Sequence, residues 1–115
     1  MIGGTMTTQE KVLKGITTLL ILRNLGMSPS HGYVLQKEIS AELKQNLPAG
    51  AIYILLKNLE KKKLISRGGK IEVNGRVITQ YVITSEGKRF LKRHIVPLET
   101  VEGVLGDLIN DIKKI

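Results

Sequence analysis

Cysteine and tryptophan are absent from this 115-residue chain, phenylalanine occurs once and tyrosine three times. Without Cys there is no disulfide, no thiolate nucleophile and no Cys-based zinc site. The two histidines, His31 and His94, do not form an H-x-x-x-H spacing, so no metal site is expected. With aromatics at 3%, the core must be aliphatic. Long apolar runs are lacking too. The most apolar stretch, 16–22, contains two Thr and falls far short of a bilayer span. No membrane association is therefore expected. Residues 1–7 read as a loose, flexible lead-in without the charged start and apolar centre of a signal peptide. No glycine-rich phosphate loop occurs. The carboxylates Glu99, Glu102, Asp107 and Asp111 share one acidic helix and read as a solvated flank rather than an acid–base pair. An enzyme is the least supported class, and no cofactor is expected.

Acidic residues are scarce: 10 against 18 Lys and Arg, for a net charge of +8. Such an excess favours a polyanion partner, and its placement narrows the choice. Residues 57–76 carry seven bases against two acids, whereas residues 95–115 carry a net −2. The charge is polarised along the chain, as an oriented binding surface requires.

Hydrophobic periodicity predicts a first helix over about 8–25, closed by Gly26 and the turn residues Ser28-Pro29-Ser30. A second helix is expected over 31–43, with Val34, Leu35, Ile39 and Leu43 on one face and Lys37 solvated. Pro48 fits the start of a third helix running to about Lys62, because its missing N–H would be unpaired there. Its inward stripe is Ile52, Leu55, Leu56 and Leu59. Two strand-like runs, 64–73 and 76–84, flank Asn74-Gly75, the preferred pair for a tight hairpin. Counting back from that turn pairs Val73 with Arg76, Ile71 with Ile78, and Arg67 with Val82. Thr84 is a hydroxyl cap for a fourth helix reaching about Ile95, and Pro97 predicts a break.

The last helix, 98–114, spaces Leu98, Val101, Leu105, Leu108, Ile112 and Ile115 at alternating steps of three and four. That is an a/d seam of two and a half heptads, marginal alone and in need of a partner. A homodimer contact is expected; packing on the chain's own body is the alternative.

Helix, helix, turn, helix and ribbon is the order of a winged helix-turn-helix. The fold class is mostly α with a small β-hairpin, plus a C-terminal dimerisation helix. The expected division is 1–7, a winged-helix domain over 8–95 and a dimerisation helix over 96–115. In such a fold the third helix enters the major groove of double-stranded DNA and the hairpin reaches the flanking backbone. The basic stretch, including Lys57, Lys61, Arg67, Lys70 and Arg76, falls on those two elements. The first turn of the third helix offers only Ala49, Gly50 and Ala51 after the proline. Base reading needs longer polar side chains, and those nearby are Gln45, Asn46, Tyr53, Lys57 and Asn58. Close backbone approach and DNA shape would then carry part of any selectivity.

Three stretches together resemble the PadR-like transcriptional regulators. They are Leu19-Leu20-Ile21-Leu22 with Ser28-Pro29-Ser30-His31-Gly32-Tyr33-Val34-Leu35, then 47–60 from Leu47-Pro48 to Leu59-Glu60, then Gly75-Arg76 with Tyr81-Val82-Ile83-Thr84 and Gly87. The resemblance spans about 16–95. It implies a dimeric DNA-binding repressor, in some members relieved by a small-molecule effector, and a cytoplasmic, nucleoid-associated location. It also implies that Tyr53 contacts DNA backbone or sugar, that Tyr33 opens the second helix and can touch phosphate, and that Arg76 is the basic wing-tip residue. Lys63 stands where the family has Gly, and Gln80 where a base is common. The lack of Trp argues against an aromatic ligand sandwich. Two other readings stay open: an architectural DNA binder with little sequence preference, and a winged-helix module for an acidic protein.

Overall fold

The computed structural model describes residue 13 and residues 15–115, except the side chain of Ala49. The lead-in and most of the first turns expected from residue 8 lie outside the described residues. From residue 15 on, five helices and one hairpin follow in chain order: α1 Thr17–Met27, α2 Gly32–Leu43, α3 Ala49–Lys61, β1 Ile65–Val73, β2 Arg76–Ile83, α4 Ser85–Lys92 and α5 Ile95–Lys113.

Helix α1 runs past Gly26, which is inside it rather than at its end. The stop is Ser28, extended at φ −165° and ψ 154°, because the following Pro29 excludes a helical conformation at that position. Ser30 then pairs with Tyr81 as a one-residue antiparallel bridge, its N–H donating to Tyr81 O at 3.1 Å and its O accepting from Tyr81 N at 2.7 Å. This bridge fastens the α1–α2 link to the wing. His31 precedes α2 and its carbonyl accepts from Leu35 N at 3.0 Å, so it is a cap residue as its position suggests.

The core is aliphatic. Ile21, Leu22, Leu35, Ile39, Ile52, Leu56 and Ile65 are fully buried, with Leu25, Leu43, Leu59 and Leu64 beside them. Helices α1, α2 and α3 each contribute residues at three- and four-residue spacing, as one buried face requires. Leu55, expected inward, is only half-buried at the edge of this cluster.

Strands β1 and β2 pair antiparallel through Val73–Arg76 and Ile71–Ile78, as the turn predicts. Asn74 and Gly75 both take positive φ, 52° and 78°, which a tight hairpin of this hand demands. The Arg67–Val82 pairing does not occur. Arg67 opposes Tyr81 and Gly69 opposes Gln80, so Gly68 is an extra residue in β1. The glycine pair makes a β-bulge, and one inserted residue shifts every later partner by one.

Two lysines sit in the left-handed region at helix ends: Lys44 at φ 54° after α2, and Lys63 at φ 64° after α3. At each, the next residue's N–H reaches back to a helical carbonyl, Gln45 to Ser40 and Leu64 to Leu59, both at 3.0 Å. These are Schellman closures built without glycine. Thr84 then caps α4: its Oγ1 accepts from Gly87 N at 3.0 Å and donates to Lys63 O at 2.7 Å.

The break expected at Pro97 falls earlier. Helix α4 ends at Lys92, and α5 starts at Ile95 with Pro97 in its first turn, where a missing N–H costs nothing. No residue of α5 is buried. The radius of gyration, 16.3 Å, exceeds the roughly 13 Å of a compact chain this long, as a projecting arm requires.

Across α1 and α2, Arg23 Nη1 donates to Glu42 at 2.9 Å, and a second bond closes the fork. This hydrogen bond, aided by the charges, holds the Glu42 carboxyl below the usual glutamate range and raises Arg23. A depressed carboxyl pKa stabilises the fold above the unfolded value and stops doing so as pH falls through the folded one. Both side chains are well exposed, so the contribution is under about 1 kcal/mol. In acid titrations of thermal stability, Glu42→Gln is expected to flatten the loss of stability below about pH 4 without lowering neutral stability by more than that amount.

The helix-end geometry gives a second expectation, read by urea melts. Lys63→Gly removes the left-handed strain and gains about 0.5–1 kcal/mol. A Cβ at Gly87 would meet Leu64 O at 2.1 Å, and backbone cannot step aside, so Gly87→Ala costs about 2–3 kcal/mol.

Candidate nucleic-acid interface

Helix α3 presents one face to the core and the other to solvent. Ile52, Leu56 and Leu59 hold it down. Gly50, Tyr53, Ile54, Lys57, Asn58 and Lys61 form the exposed arc. Its approach to the surface is set by the α2–α3 link, where Gln36 Nε2 donates to Leu47 O at 2.7 Å and Leu47 N donates to Ser40 Oγ at 3.1 Å. Those bonds bring Gln45 and Asn46 to the rim of a polar groove shared with Lys37 and Lys44.

Most of the candidate residues are exposed. Tyr53 is half exposed, and its ring edge lies against Gly32 at the start of α2. Tyr33 is also exposed, with Lys37 Nζ 5.1 Å from its ring centroid, a cation–π distance. Lys70 and Arg76 are exposed on the wing. Arg67 differs: its Nε donates to Glu60 Oε2 at 3.0 Å, joining β1 to the last turn of α3. That guanidinium is already paired and braces the wing. Helix α4 adds exposed Lys88, Arg89 and Lys92, and its C-cap Arg93 is exposed too, with Arg89 paired to Glu86.

Ile54 is 63% exposed in the middle of the α3 arc, on the face away from Ile52 and Leu56 where its helical phase puts it. One feature escapes a reading of the sequence as separate elements. Lys37 looks like an ordinary solvated residue until its i, i+4 partner Tyr33 is considered. Among the described residues, no group of His, Asp or Glu could hold a metal ion, and no helix is long and apolar enough to cross a membrane.

The model of the PadR-like family of transcriptional regulators matches residues 21–93, which span α1 through α4. The chain belongs to the PadR-like family. Among solved structures, TA0346 from Thermoplasma acidophilum, assigned as a transcriptional regulator, is similar at 38% identity and TM-score 0.78, over 88% of this chain and 97% of that one. The PadR-like regulator BC4206 from Bacillus cereus is similar at 26% identity and TM-score 0.77, over 86% and 96%. No curated protein matches. Membership places the chain among DNA-binding transcriptional regulators, and the winged helix-turn-helix is the fold expected of it. At Lys63 the left-handed cap is made by a lysine.

Proposed function

We propose that the chain is a homodimeric repressor that binds double-stranded DNA through α3 and the wing. The observation that carries this reading is the exposed arc of α3, with Lys57 and Lys61 on it and Lys70 and Arg76 exposed on the wing that follows. Lysines on a helix end and a ribbon suit phosphate contact. Tyr53 and Tyr33 would add hydroxyl contacts to backbone, and Gln45, Asn46 and Asn58 would read base edges. Gly50, and Ala49 by its residue type, allow close helix approach, with Ile54 against thymine methyls. Lys37 and Lys44 extend the basic surface beyond the residues expected from sequence. An effector, if one acts, would bind without an aromatic sandwich.

Dimerisation is assigned to Leu98, Val101, Leu105, Leu108, Ile112 and Ile115. They lie between 42% and 104% exposed in the single chain. Val104 and Ile109, also exposed, widen the apolar arc beyond a simple two-helix seam, so the partner should cover more than one stripe. In sedimentation at micromolar concentration, the wild type is expected to be a dimer and Leu108→Lys a monomer; an unchanged wild-type monomer defeats this assignment.

The DNA reading is tested by titrating a mixed-sequence duplex at several salt concentrations. Affinity should fall steeply with salt, with a log–log slope of about −0.9 per phosphate contact. Lys70→Ala and Arg76→Ala should each reduce that slope by about 1, leaving melting temperature unchanged. A specific-to-random affinity ratio near unity would favour the architectural reading, and absence of any salt-sensitive DNA affinity would favour the protein-interaction module.

A further inference from the structure

We propose that Gly32 is a positioning residue for Tyr53, holding the ring in its DNA-ready orientation before DNA arrives. This rests on the reading of Tyr53 as a DNA contact and adds how that contact is set. Gly32 is buried at the first position of α2. A Cβ built there would meet Tyr53 Cε1 at 2.6 Å, Cζ at 2.7 Å and Oη at 2.9 Å. The outer end of the tyrosine therefore occupies the volume that any other residue's side chain would fill. Gly32 is not in the left-handed region, so backbone conformation does not call for glycine. The close approach of the ring does.

The seat has a directional effect. Tyr53 projects from α3 across to α2 rather than along its own helix, and its hydroxyl is brought to the first turn of α2, beside Gly32. A ring seated against the backbone of α2 on one side has fewer staggered rotamers open to it. The freedom lost on folding is not lost again on binding, which is how preorganisation raises affinity. The contact involves only the far end of a side chain, so an alanine at position 32 can be accommodated by turning Tyr53 away. Gly87, which faces backbone, has no such escape. The two glycines thus separate: one serves the fold, the other the surface.

The test is a double-mutant cycle on the full chain with a mixed-sequence DNA duplex, using Gly32→Ala, Tyr53→Ala and the pair. Gly32→Ala is expected to weaken binding about tenfold with a melting temperature within a few degrees of wild type. In the Tyr53→Ala background it should have no further effect. Additive losses, or unchanged affinity in Gly32→Ala while Tyr53→Ala weakens binding, would overturn the positioning role and leave the Tyr53 assignment standing. Unchanged affinity in Tyr53→Ala would overturn both. Should Gly32→Ala not fold, the wild type alone decides by NMR: a single Tyr53 χ1 rotamer and a ring-current-shifted Gly32 α-proton support the proposal, and rotamer-averaged couplings refute it.

Discussion

Everything that faces outward in this fold depends on one junction, where α3 ends and the wing begins. Lys63 turns the chain in the left-handed region, and its carbonyl accepts the Thr84 hydroxyl. The next carbonyl, Leu64 O, accepts Thr84 N at 3.1 Å and presses on Gly87. Thr84 Oγ1 in turn accepts Gly87 N. Lys63 and Leu64 just before β1, Thr84 just after β2 and Gly87 in the first turn of α4 thereby share one small hydrogen-bonded knot. It fixes the root of the wing against the end of α3, and Arg67–Glu60 adds a second brace on the solvent side. A slip of one residue here would carry Lys70 and Arg76 by about 3.3 Å along the ribbon and put their side chains on the opposite face.

The same economy of surface explains α5. The aliphatic cluster is completed by α1, α2, α3 and the root of the wing, with Phe90 and Leu91 of α4 packed at its edge. Nothing of α5 is needed to close it. At about 1.5 Å per residue, nineteen residues make an arm of roughly 28 Å whose apolar arc exceeds what an isolated soluble helix carries. The arc is too wide for one neighbouring helix and too apolar for water, and the charges beside it are acidic. Under the proposed reading, those acids keep the assembly side of the molecule away from a polyanion bound at α3.

Much of this was legible in the sequence, and the parts that were not share a cause. The helix order, the Asn74-Gly75 hairpin, the Thr84 cap and the inward residues Ile52, Leu56 and Leu59 follow from local chemistry and periodicity. The register of Arg67 does not, because Gly68-Gly69 reads equally as a flexible strand or a bulge until the partner strand is placed. Gly26 looks like a helix stop, yet the extended geometry that Pro29 imposes on Ser28 decides the end. Pro97 looks like a breaker, yet it is harmless once the helix starts two residues before it. The seat of Tyr53 on Gly32 joins two helices and has no sequence signature at all. Of the candidate interface, the charged positions could be named from their clustering, while Arg67's prior engagement by Glu60 required coordinates.

That engagement changes the balance of the surface. With Arg67 paired, the guanidinium left on the wing is Arg76, and the remaining positive groups at the α3 end and along the ribbon are lysines. Lysine is a point charge suited to phosphate, whereas arginine's planar fork is what reads guanine bidentately. Under the proposed reading, a surface of lysines, one wing arginine, two tyrosines and three amides would draw its affinity mainly from the backbone of the duplex, with few groups for reading bases. Selectivity in such a design has to come from how rigidly the contacts are placed relative to one another, because phosphate positions report the local shape of the helix. Rigid placement is what the junction at Thr84, the bridge from Ser30 to Tyr81 and the close approach of Tyr53 to Gly32 each provide.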